Sequence, residues 1–195
     1  MLRIVLIRPG ATDYDCEQRI QGALDIPLTR QGLMEVAREV DQLRDKRIEI
    51  LYASPCESAV QSAEILSKDL DARWKKLDRM QNLNLGLWQG MLLSEVRHKQ
   101  PKVYRQWQEQ PENICPPDGE MIEQAEQRIA TAMNKLLRRH KDGVIGLVIP
   151  EPLASLVRRH LKNDDLGDLW KALSGHGSWE VLDLEPAQEV PVLSG

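Results

Sequence analysis

The stretch Leu2-Arg3-Ile4-Val5-Leu6-Ile7, closed by Arg8-Pro9-Gly10, decides the reading of the whole chain. Apolar side chains occupy both parities of the run, so a strand formed here buries both of its faces, and the turn residues end it. Such a strand needs helices on two sides, and the neighbouring sequence supplies them. Ile48 to Tyr52 and Val144 to Ile149 repeat the short apolar run, and they end at Ser54-Pro55 and Pro150-Glu151-Pro152. Between the runs, apolar residues recur at helical spacing: Leu33, Val36, Ala37, Val40 and Leu43, then Ala59, Ala63, Leu66 and Leu70, with Ser54 as the expected N-cap and Pro55 opening the helix. A longer helix is predicted from about Glu120 to His140, with Ile122, Ala125, Ile129, Met133 and Leu136 on one face. Glu120, Glu123 and Glu126 open it and Arg138, Arg139 and Lys141 close it, as the helix dipole favours. Leu153, Leu156, Val157 and Leu161 mark another helix, Trp179 to Leu184 a last strand, and the tail beyond Pro186 reads as loose.

Strands alternating with helices imply an α/β fold, a three-layer α/β/α sandwich with a mainly parallel, doubly wound sheet. In such sheets ligands sit beyond the carboxyl ends of the strands, which directs attention to Arg8-Pro9-Gly10, Ser54-Pro55 and Pro150-Glu151-Pro152. The chain reads as one domain over 1–195. An irregular, lid-like insertion is expected at about 77–118, where Trp88, Pro101, Trp107, Pro111 and Pro116-Pro117 interrupt the periodicity.

Composition narrows the function classes. Hydrophobic residues at 42% and charged residues at 29% describe an ordinary globular protein. The net charge of −4 argues against a broad nucleic-acid surface. No run approaches a membrane span or a signal sequence, so no membrane partner is expected and the cytoplasm is the expected compartment. Cys16, Cys56 and Cys115 have neither zinc-site nor disulfide spacing; no metal and no cofactor is expected. The five Trp read as core or interface residues, since no basic run is interleaved with them.

Several segments carry a family resemblance. Leu6-Ile7-Arg8-Pro9-Gly10-Ala11-Thr12, then Arg19-Ile20-Gln21-Gly22 and Asp25-Ile26-Pro27-Leu28-Thr29, resembles an Arg-His-Gly-Glu-Thr motif with its downstream Gln-Gly and Asp-x-Pro-Leu-Thr. Tyr52-Ala53-Ser54-Pro55 through Ala59-Val60-Gln61-Ser62-Ala63 resembles Ser-Ser-Pro followed by Arg-Ala-x-Gln-Thr-Ala. Leu83 to Gly90 and Pro116-Pro117-Asp118-Gly119-Glu120 resemble Phe-Gly-x-Trp-Glu-Gly and Pro-x-Gly-Glu-Ser. In this order, over about residues 2 to 185, the segments resemble the histidine phosphatase superfamily, whose fold is phosphoglycerate mutase-like.

The resemblance implies phosphoryl transfer to a histidine and then to water. That chemistry needs two arginines and a second histidine around the phosphate and a carboxyl acid for the leaving oxygen. Arg8 matches the first arginine. The nucleophile falls at Pro9, the second arginine at Ser58, the acid at Asn82 and the second histidine at Pro150, beside Glu151 where glycine is usual. Proline offers neither a nucleophile nor a backbone donor. The implied protein is a degenerate, catalytically inactive relative, a pseudophosphatase with a binding or regulatory role. The alternative is a weak or altered phosphomonoester phosphatase or mutase-like enzyme. Its relic substrate cleft would comprise Arg8, Thr12, Gln21 and Gly22, with Glu151 and His176 as further candidates. Arg8 is either a remaining phosphate ligand or the partner of a carboxylate such as Asp15 or Glu151. Among His98, His140, His160 and His176, the last is placed best for substituted chemistry; the others read as surface or helix-end residues. Pro9 and Pro150 are either tolerated strand-end residues or rigid corners that reshape the cleft. The ligand or protein partner, and whether the chain forms a homo-oligomer, are left open.

Overall fold

The computed structural model describes residues 1–184, so the tail beyond Pro186 lies outside the described residues. In chain order the elements are β1 (Leu2–Arg8), α1 (Asp13–Glu17), α2 (Arg30–Leu43), β2 (Ile50–Ala53), α3 (Glu57–Leu70), β3 (Arg73–Lys76) and α4 (Leu93–Lys99). They continue with α5 (Pro101–Glu109), α6 (Ile122–Arg139), β4 (Gly143–Val148), α7 (Leu153–Lys162), α8 (Leu169–Ala172) and β5 (Ser178–Leu184). The strands form one sheet in the order β3-β2-β4-β1-β5, parallel throughout except for β5, which runs antiparallel to β1.

β1 shows why the sheet is covered twice. Leu2, Ile4 and Leu6 pack with residues of α6 and α7, whereas Val5 and Ile7 pack with residues of α2 and α3. Full burial of each such side chain contributes about 1.5–3 kcal/mol, so exposing either face would cost more than a marginally stable domain can lose. The expected α/β sandwich is therefore present, its layers held by one apolar cluster on each face.

Four local readings change. In α2 the buried residues are Gly32, Val36, Glu39, Val40 and Leu43, while Leu33 and Ala37 face solvent, so the stripe is rotated toward a carboxylate. Ser54 does not cap α3. The cap position is Cys56, and the Ser54 hydroxyl instead donates to the Met80 carbonyl at 2.6 Å. β3 carries Arg73-Trp74-Lys75-Lys76, an exposed edge without the apolar run that betrays a buried strand. The stretch 77–118, expected to be irregular, contains α4 and α5 and sends Trp88 and Trp107 into the core beside Trp170. Their tight aromatic packing, with ring centroids 4.4–5.7 Å apart, anchors this stretch in the body of the protein.

Candidate functional site

Because β1 and β4 are adjacent and parallel, their carboxyl ends bring Pro9 beside Pro150, and the Ile149 N–H donates to the Ile7 carbonyl at 2.9 Å. The Pro9 carbonyl accepts from the Gly177 N–H at 2.8 Å, which draws in the loop carrying His176. Gly10 and Gly32 allow the turn to lie directly on the start of α2; a Cβ on either would collide with the other's backbone neighbourhood. Pro9, Asp15, Gln21, Ser58, Pro150, Glu151 and His176 then line a common cleft whose cavity is about 20 Å³, the room of one or two waters.

Arg8 does not line that cleft. Its Nε lies 2.9 Å from Glu151 Oε1 and its Nη2 2.6 Å from Glu180 Oε1, with only 13% of the side chain exposed. Burial works against its charge, but the two carboxylates outweigh burial and hold the guanidinium above its ordinary range. Of the two partners left open by the sequence, Glu151 is the one engaged; Asp15 is elsewhere. Glu151 Oε2 also accepts from the Ser155 N–H at 3.1 Å and the Ser155 hydroxyl at 2.7 Å, which ties it to the first turn of α7.

Asn82 is a four-way clamp. Its Nδ2 donates to the Gly22 carbonyl at 3.0 Å and to the Glu151 carbonyl at 2.8 Å, while Oδ1 accepts from the Leu83 N–H at 2.9 Å and the Leu153 N–H at 3.3 Å. A buried amide with both donors and its acceptor engaged binds the loop after α1 to the turn after β4.

Thr12 caps α1, and Asp15 Oδ2 accepts from its N–H at 2.7 Å and its hydroxyl at 2.8 Å. Thr12 Oγ1 also lies 3.0 Å from Gln21 Oε1. Burial raises the Asp15 carboxyl, against the lowering effect of these Thr12 bonds. Gly22 sits at φ +56°, and Gln89 occupies the space where a Cβ would stand. Ser58 is 1% exposed, its hydroxyl 3.7 Å from Cys56 Sγ.

His176 Nδ1 lies 2.9 Å from Glu35 Oε2, which also accepts from the Ala11 N–H at 2.9 Å. Burial opposes ionisation of Glu35, but hydrogen bonds from Gln31, His176 and Ala11 prevail and hold its carboxyl below the ordinary range. Arg8 and His176 therefore do not converge; each is committed to carboxylates. His140, expected as a helix-end cation, is pushed the other way: burial, followed by nearby Arg139, lowers its pKa against a smaller raising pull from Glu49, and its Nε2 lies 2.8 Å from the Tyr52 hydroxyl.

Three residues that matter here escaped the sequence reading. Glu35 and Glu180 carry no local signal, since only tertiary contact gives them partners. Glu39 had one: it falls between Val36 and Leu43 on the buried stripe. It is 2% exposed, and neither carboxyl oxygen has a hydrogen-bond partner among the described residues. Burial, then repulsion from Glu35, pushes its pKa up to about 8 against a lowering pull from Arg8. The region around the strand ends is thus rich in carboxylates, whereas a phosphate dianion needs uncommitted cations and donors.

The sequence pattern of the histidine phosphatase superfamily (branch 1) matches residues 4–194. The chain belongs to the histidine phosphatase superfamily. Among its relatives are phosphoserine phosphatase 1 of Hydrogenobacter thermophilus, 24% identical over 97% of this chain and 90% of that protein, and phosphoglycerate mutase-like protein 4 of Arabidopsis thaliana, 27% identical over 71% of this chain and 61% of that one. The solved structure of a mycobacterial glucosyl-3-phosphoglycerate phosphatase with VO3 superposes with a TM-score of 0.81, at 22% identity, over 93% of this chain and 90% of that one. The superposition extends the superfamily's fold to the sheet and helices described above. Among the described residues no helix is long and apolar enough to cross a membrane.

Proposed function

We propose that this member of the superfamily is a pseudophosphatase, with a binding or regulatory role in place of catalysis. The observation that carries the proposal is Arg8, the cationic residue that matches the family's first arginine, held between Glu151 and Glu180 and not among the residues that line the cleft. The cleft itself presents Pro9 and Pro150 where the family resemblance assigns the two histidines, and it is closed to about 20 Å³. Ligand pockets usually offer some 300–1,000 Å³. With proline at the position of the nucleophile, no acid at Asn82 and, among the described residues lining the cleft, no lysine or arginine, in-line phosphoryl transfer loses attack, leaving-group protonation and charge stabilisation together.

Purified protein is expected to hydrolyse p-nitrophenyl phosphate and phosphoserine no faster than buffer between about pH 5 and pH 8, the range in which acid–base groups of this family's type operate. Turnover that Arg8→Ala abolishes would overturn the reading. Orthovanadate should leave the melting midpoint unchanged: with Kd above about 10 mM, 1 mM ligand contributes less than ~0.1 kcal/mol. A midpoint rise of several degrees, lost in Arg8→Ala, would mean that a phosphate site remains.

One observation favours a second reading, a weak or altered phosphomonoesterase such as the named relatives suggest. His176 lines the cleft with Nδ1 held by Glu35, an imidazole oriented by a carboxylate. Slow hydrolysis eliminated by His176→Ala would support it over the first.

A further inference from the structure

The geometry points to a peptide-docking site at the β3 edge of the sheet, where an acidic extended segment of a partner protein adds as a strand and places a carboxylate side chain between β3 and α6. The site is separate from the strand-end cleft and holds whether or not that cleft is catalytically active.

β3 is an outer strand, bonded only to β2. The Leu77 N–H donates to the Ala53 carbonyl at 2.8 Å, so by the two-residue alternation Arg73 and Lys75 also face β2 with their backbone. Trp74 and Lys76 consequently present N–H and C=O groups outward, and among the described residues nothing bonds to them. An extended peptide satisfies such groups by continuing the sheet.

Beside this edge lies a pocket of 190 Å³ floored by Tyr52, Leu77, Ala132 and Leu136. Three cations surround it, Lys75 from the strand and Lys135 and Arg139 from successive turns of α6, against the single carboxylate of Asp78; Lys76 also lines it, but pairs with Ala53 on the opposite face of the sheet. All three are exposed, and none is in an ion pair among the described residues. On a chain of net charge −4 this is a local reversal of sign.

Two considerations select the occupant. The volume is below the usual range for a cofactor or metabolite but suits one or two side chains. Lysines on an edge strand also guard against pairing with a second copy, since Lys75 and Lys76 would meet their own charge. Guarding does not call for Lys135 and Arg139, which belong to a different layer and converge on the same pocket. An acidic strand meets both requirements: its backbone pairs with Trp74 and Lys76, and its side chains on the pocket face neutralise Lys75, Lys135 and Arg139.

The test uses the whole chain against an array of acetylated peptides of about nine residues, with glutamate at alternate positions and valine, isoleucine or threonine between them, beside a matched array with glutamine for glutamate. The acidic array should capture the protein and the glutamine array should not. For captured peptides measured by fluorescence anisotropy, the exposed double substitution Lys135→Glu with Arg139→Glu should weaken binding at least about tenfold, as should raising NaCl from about 50 to 300 mM. N-methylation of one of the two alternating sets of peptide amides, the set that faces β3, should abolish binding, and methylation of the other should not. Capture by neither array, equal capture by both, indifference to the double substitution, or undiminished binding with either alternating set of amides methylated would overturn the proposal. So would sedimentation showing a dimer that the double substitution dissociates, because the edge would then belong to a second copy.

Discussion

Glu39→Gln is expected to stabilise the protein strongly above pH 8 and hardly at all near pH 5. The folded chain holds the Glu39 proton up to about pH 8, whereas an unfolded chain releases it near its ordinary value of 4.5. Between those values the unfolded state binds fewer protons, so stability falls as pH rises from about 4.5 and levels off beyond about 8. At ~1.36 kcal/mol per pH unit, that interval limits the loss to about 4–5 kcal/mol. Glutamine keeps the shape and cannot ionise, so it removes the pH-dependent loss while leaving the burial of a polar group in place. Urea unfolding at several pH values tests this. Parallel slopes for parent and variant would mean that Glu39 ionises freely in the fold. The neighbouring Glu35 and Arg8 oppose one another in their effect on Glu39, which leaves burial as the dominant cause.

The second large effect is expected at Asn82, where the obvious step toward an active enzyme should undermine the fold. Asn82→Asp preserves the two bonds accepted by Oδ1 but turns a carboxylate oxygen toward the Gly22 and Glu151 carbonyls, which in the parent accept hydrogen bonds from the amide Nδ2. Each buried group left unsatisfied costs about 1–3 kcal/mol, and the ionised carboxylate adds repulsion, so a loss of about 3 kcal/mol or more is expected at neutral pH. The loss should shrink as pH falls, because a protonated carboxyl regains one donor. Asn82→Glu, which restores the acid the family resemblance assigns there, adds a methylene to a buried site and should fare no better. If Asn82→Asp unfolds within ~1 kcal/mol of the parent at neutral pH, the clamp does not hold these loops.

Such coupling also bears on the family resemblance. Pro9, Ser58, Asn82 and Pro150 could be named from motif order, yet their present roles could not. Asn82 looks in the sequence like a lost acid; in the fold it is the donor that binds two turns together. Arg8 looks like a surviving phosphate ligand; its guanidinium is occupied by carboxylates 143 and 172 positions away, Glu151 and Glu180. His176 and Glu35 meet from the two ends of the chain. Motif order preserves the address of a residue, whereas hydrogen bonds and ion pairs depend on which loops the sheet brings side by side.

What the sequence determined by itself was the layered architecture. The runs Leu2–Ile7 and Val144–Ile149 bury both parities, and a strand of that kind has one stable setting, inside a sheet covered by helices on two faces. The stripes of α6 and α7 were equally legible, because 3.6-residue periodicity is local and survives without knowledge of the partner. Tertiary structure alone decided the rest. β3 is a strand only because β2 supplies its hydrogen bonds, since three of its four residues are charged and exposed and Trp74 alone is apolar. α2 turned a glutamate inward because Gly32 must lie against the turn after β1, and that contact sets the helix's rotation about its axis. The sign of the charge around the strand ends was likewise decided there, where Glu35, Glu39, Glu151 and Glu180 gather around Arg8, Arg158 and His176, a sum over space that no reading along the chain performs.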